Sequence, residues 1–148
     1  MKPENFKPGL SGKRHEIAKE RAIRFPDLWD REREKRVNQF RVWRYMAMQV
    51  LNRRGVSAFR VMAILDQVFD FSDCCIYATD AELAWECGHC AEKTVRRDLN
   101  VLLSVGLLTA ETTWIDKGGK MRKARKMKLA VPFDLTGIDV RGDEEADD

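Results

Sequence analysis

Between Leu28 and Arg54 no Gly or Pro interrupts the chain, and Val37, Phe40, Trp43, Ala47, Val50 and Leu51 recur mostly at intervals of three and four. That period predicts an amphipathic helix with an Arg-rich opposite face, stopped by Gly55 as a left-handed C′ residue. Val61, Ile64, Leu65, Val68 and Phe69 repeat the pattern and predict a core helix capped by Ser57. Cys74 to Tyr77 is a short β-prone stretch. Thr79-Asp80-Ala81-Glu82 then has the capping-box pattern, in which Thr79 binds a free N–H and Glu82 reaches back. Leu83, Ala84 and Cys87 face inward on that helix, and Gly88 ends it. A further helix runs from Ala91 to Val105, buries Val95, Leu99, Leu102 and Val105, and takes Gly106 as its C′ residue.

Gly118-Gly119, between Lys117 and Lys120, is a two-residue turn whose twist suits a β-hairpin. The register it sets places Leu108 opposite Leu129, Ala110 opposite Met127, Glu111 opposite Lys126 and Trp114 opposite Lys123. Apolar residues then meet near the core and opposite charges meet on the other face. Pro132 ends the second strand. Residues 1–27 hold three of the four prolines and read as an arm, with a pair of helical turns around Arg14 to Ile23 ended by Pro26. The expected organisation is an arm over 1–27, an Arg-rich helix over 28–55, a domain over 56–133 and an acidic tail over 134–148. The fold class is mainly α with a small β-hairpin.

At 148 residues the chain has room for one domain with extensions, and 44% hydrophobic residues can supply its core. No run approaches the length of a membrane span, and the start carries no apolar stretch with a cleavage site, so a soluble, cytoplasmic protein with no membrane partner is expected. The net charge of +3 conceals a strong asymmetry. Residues 1–60 carry sixteen Lys or Arg against seven acids, residues 61–115 three against nine, residues 116–133 seven against one, and residues 134–148 one against seven. Two basic blocks separated by an acidic core point to a polyanionic partner touched in two places. The tail either solubilises the end of the chain or competes with that partner for the basic hairpin.

The segment ATDAELAWECGHCAEKTVRRDLNVLLSVGLLT resembles the winged helix-turn-helix family in the form T-x-x-ELA, a Gly turn, and TVRR-x-L-x-x-L-x-x-x-GLL. Thr79, Glu82, Leu83, Ala84, Gly88, Thr94, Val95, Arg96, Arg97, Leu99, Leu102, Gly106, Leu107 and Leu108 occupy the matching positions. The resemblance spans roughly Val56 to Pro132 and implies a winged helix-turn-helix core behind an N-terminal helical extension. It also implies that Ala91 to Val105 is a recognition helix for the major groove of double-stranded DNA, with the hairpin as a wing. With the apolar stripe turned inward, Lys93, Thr94, Arg96, Arg97 and Asn100 remain outside. Arg forks suit guanine, Asn suits adenine, and Thr and Lys suit phosphate or the thymine methyl edge. On the wing, Lys117, Lys120, Arg122, Lys123, Arg125 and Lys126 are candidates for phosphates or the minor groove. Trp114 is read as a cover over Lys and Arg stems.

The helix over 28–54 either packs onto the domain or forms a homodimer, and Arg31, Arg33, Lys35, Arg36, Arg41 and Arg44 on its other face are additional phosphate candidates. Cys74, Cys87, His89 and Cys90 form an alternative zinc set, although adjacent Cys74 and Cys75 on a strand point to opposite faces, and buried free thiols are the simpler expectation. No metal or other cofactor is expected. GxxxxGK[ST], GxGxxG, HExxH and GxSxG are all absent, so an enzyme is not expected. The resulting expectation is a sequence-specific DNA-binding protein acting in transcriptional control. A plasmid or phage replication initiator and a winged-helix protein-interaction module are the alternatives.

Overall fold

A computed structural model describes residues 19–140. The expected turns from Arg14 up to that point, and the acidic residues that follow Arg141, lie outside the described residues. The elements are β1 (Ala22–Arg24), α1 (Arg33–Arg54), α2 (Phe59–Val68), α3 (Asp80–Glu86), α4 (Glu92–Ser104), β2 (Leu108–Lys117) and β3 (Lys120–Pro132). Among the described residues, then, four helices and a three-stranded antiparallel sheet of order β1-β3-β2 make a mixed α and β chain, not a mainly α one with a hairpin alone.

The added strand comes from the expected arm. Residues 22–24 are extended and not helical, with Ala22 opposite Pro132 and Arg24 opposite Ala130. Around that register Phe25 N–H donates to the Leu129 carbonyl at 3.2 Å and Phe133 N–H donates to the Arg21 carbonyl at 2.8 Å. An open edge of β3 is thereby covered, which is stronger than any local preference of three residues for a helical turn.

α1 begins at Arg33 and not at Leu28, because side chains hold residues 28–32 in a bend. Gln39 accepts from the Asp30 N–H and donates to the Leu28 carbonyl, while Asp30 accepts from the Glu32 N–H. The helix ends as expected at Gly55, where Gly55 and Val56 donate to the Asn52 and Leu51 carbonyls with Gly55 at φ 69°. Phe40, Trp43, Met46, Ala47, Val50 and Leu51 are buried in the chain's own core, against Phe69, Phe71, Leu107 and Leu129 among others. The indole N–H of Trp43 donates to the carbonyls of Ala130 at 2.7 Å and Leu107 at 3.2 Å, so the long helix is pinned to the sheet. Its apolar stripe is therefore interior, and the homodimer reading loses the surface it rested on. What α1 exposes of its large apolar side chains is Tyr45 and Met48.

Ser57 does not cap α2. The helix starts after Ala58, which supplies no side-chain acceptor, and the N–H of Val61 is instead satisfied by Asp98 Oδ2 from α4 at 3.1 Å. Asp98 is buried, at position i+3 from Val95 and next to Leu99. One carboxylate thus caps one helix and orients another. α3 has its complete capping box, with Thr79 and Glu82 exchanging both bonds. The hairpin has the expected register throughout, from Leu108↔Leu129 to Lys117↔Lys120. Gly118 and Gly119 take φ values of 64° and 83°, as a primed turn requires. Ile76 bridges to Met127 and adds one residue of ladder from the Cys74 to Tyr77 stretch.

Candidate nucleic-acid interface

The burial of Val95, Asp98, Leu99 and Leu102 fixes the rotation of α4. Lys93, Arg96, Arg97 and Asn100 consequently lie exposed on its outer side, with Thr94 half-buried between them. Arg96 is not a free cation. Its Nη1 lies 3.6 Å from Asp80 Oδ2 and 3.6 Å from Glu92 Oε1. The start of α4 has no side-chain cap at Ala91, and Glu92 in the first turn suits the positive end of the helix.

On the hairpin, Lys117, Lys120, Arg122 and Lys123 are exposed, which gathers four cations toward its free end. Lys123 Nζ lies 5.7 Å from the centroid of the exposed Trp114 ring, so it is the Lys123 ammonium that meets the ring, at cation–π distance. Arg125 is engaged within the molecule: Nη1 meets Asp80 Oδ1 at 2.8 Å and Nη2 donates to the Ala78 carbonyl at 2.9 Å. Lys126 lies over the Tyr77 ring at 5.9 Å. Glu111 stands opposite Lys126 in the register but forms its ion pair diagonally, with Lys128 at 3.7 Å. Of the six hairpin candidates, two therefore hold the hairpin to the domain.

Asp80, the first residue of α3, is what joins the two candidate regions. Its carboxylate touches Arg96 on α4 and Arg125 on β3. The hairpin and α3 flank a cleft of about 1230 Å³, walled on one side by Tyr77, Glu82 and Trp85 and on the other by Ile115, Lys117 and Arg122, and α4 lines it through Glu92. Trp85 is exposed and stacks on His89, with ring centroids 3.8 Å apart. The walls carry opposite charge, because Glu82, Glu86 and Glu92 line the helical side.

The arginines of α1 are largely committed to the fold. Arg36 donates to the carbonyls of Asp30, Phe71 and Ser72, and Arg44 pairs with Asp66 at 3.0 Å. Arg33 lies over the Phe71 ring at 5.5 Å. Arg31, Lys35 and Arg41 are exposed, and Lys35 pairs with Glu32.

The zinc set is not assembled. Among the described residues no three His, Cys, Asp or Glu side chains gather into a metal-binding group. Cys74 Sγ points to the Phe71 carbonyl, Cys87 Sγ to the Arg60 carbonyl, and His89 is taken up by Trp85. Burial raises the thiols of Cys74 and Cys87, and raises Cys75 to about 11. Nearby, the Tyr77 hydroxyl donates to Asp73, which lowers the Asp73 carboxyl and raises the tyrosine. Among the described residues no helix is long and apolar enough to cross a membrane.

Sequence reasoning missed the two aspartates that organise the site. Asp98 occupies a slot of the apolar stripe, at i+3 from Val95 and i−4 from Leu102, and a carboxylate in such a slot signals an interhelical cap. At Asp80 the sequence shows only the capping-box pattern, and nothing local marks its pairing with residues 16 and 45 positions away. No protein-family model, no curated protein and no solved structure matches this chain.

Proposed function

We propose that the chain is a sequence-specific binder of double-stranded DNA with a winged helix-turn-helix arrangement, acting in transcriptional control. α4 is the recognition helix, offering Lys93, Thr94, Arg96, Arg97 and Asn100 to base edges. The hairpin is the wing, and Lys117, Lys120, Arg122 and Lys123 neutralise phosphates. The observation that carries this reading is the shared contact at Asp80, which ties Arg96 on the outer side of α4 to Arg125 on β3 of the basic hairpin. Two separate basic features so placed suit a single rod-like polyanion. The exposed acids of α3, Glu82 and Glu86, repel phosphate and favour approach through α4 and the hairpin.

Selection of bound sequences from random duplexes, followed by footprinting, tests this. A recurring motif protected over one site supports the reading, and protection of a promoter operator in preference to an origin repeat supports the transcriptional role over replication initiation. Recovery of random sequence only, with no footprint, refutes sequence-specific binding.

A further inference from the structure

Building on the DNA-binding reading, we infer that Asp80 is a positioning residue that turns Arg96 from a sequence-blind charge into an oriented base reader. An unpaired Arg at the end of three methylenes samples many rotamers and is attracted to any phosphate. Arg96 is instead held by Nη1 between the Asp80 and Glu92 carboxylates, both at 3.6 Å, although the side chain is 55% exposed. Two acids beside one guanidinium oppose its pull on the phosphate backbone. Both contacts run through Nη1, and the Nε and Nη2 edge is the side we assign to fork onto a base.

Asp80 can do this because it is itself fixed. Its other oxygen is bound by Arg125 at 2.8 Å, and Arg125 is held in turn by the Ala78 carbonyl. The chain of contacts runs from β3 through Arg125 and Asp80 to Arg96, so one carboxylate sets the distance between the base reader on α4 and the phosphate row on the hairpin. Held this way, the fork loses less freedom when it meets its base.

The test uses the full chain with Asp80→Asn, which keeps an acceptor oxygen for Arg125, and Glu92→Gln, which lies exposed in the first turn of α4. The base read by Arg96 is first located as the position whose preference relaxes in Arg96→Ala. At that base, both variants lose discrimination by about three- to tenfold, toward the Arg96→Ala level. Affinity for random duplex does not fall, and the plot of log K against log salt steepens, by up to about one unit, because one acid fewer opposes the meeting of Arg96 with phosphate. Unchanged discrimination in both variants overturns the inference. A uniform loss of affinity on all duplexes with a flatter slope also overturns it, because that pattern reports a displaced hairpin. A wild-type chain that binds no duplex overturns the DNA-binding reading together with this one, which separates the two failures.

Discussion

Asp98 is the residue whose removal tests the packing of α4 most directly. Its carboxylate is 7% exposed and accepts from the Val61 N–H at 3.1 Å, across 37 positions of sequence. α2 has no side-chain cap of its own, so Asp98→Ala leaves a buried N–H unsatisfied at the start of that helix. An unsatisfied buried donor costs about 1–3 kcal/mol, partly offset by relief from desolvating a carboxylate. Asp98→Asn keeps the acceptor and the shape, loses only the charge at the helix start, and is expected to cost under about 1 kcal/mol. In urea, where the slope for small proteins is about 1–3 kcal/mol/M, the alanine variant should shift the midpoint by roughly 1 M with the slope unchanged. An alanine variant within about 0.5 kcal/mol of wild type, or an asparagine variant as damaging as alanine, refutes the cap.

Two further outcomes follow from local geometry. Gly106 sits at φ 81°, and an added Cβ would lie 3.2 Å from the Pro132 Cα, so Gly106→Ala should lower stability by about 1–3 kcal/mol in the same unfolding assay, and a neutral result refutes this. Burial raises the Cys75 thiol from 9.0 to about 11, so the folded chain holds that proton more tightly than the unfolded one. The contribution of Cys75 is complete below pH 9 and is lost as pH rises toward 11. The stability difference between wild type and Cys75→Ala should therefore shift against wild type from about pH 8 to about pH 10.5. A difference independent of pH refutes it.

Much of the fold is legible because its determinants are local. The stripe of α1, the capping box at Thr79 and the Gly118-Gly119 turn each act within a few residues, and the hairpin register follows from the turn alone. Where the structure departs from expectation, the determinant is distant in sequence. β1 forms because β3 has an open edge more than a hundred residues later, and α2 is capped from α4. The start of α1 moves to Arg33 because Gln39 reaches back to residues 28 and 30. For the candidate interface, helical rotation correctly placed Lys93, Arg97 and Asn100 outside. It could not show that Arg125 is spent on Asp80 and the Ala78 carbonyl, since that depends on how the hairpin meets α3.

On the proposed reading, α4 reads sequence while the hairpin holds the backbone. Fluorescence titration of a selected duplex and of a scrambled one, across a range of salt, compares wild type with Arg97→Ala and Lys123→Ala. Arg97→Ala should lose about 1–3 kcal/mol on the selected duplex and little on the scrambled one. Lys123→Ala should weaken both alike and flatten the salt dependence by about one unit. Equal losses of specificity from the two variants, or no binding of either duplex by wild type, contradict it.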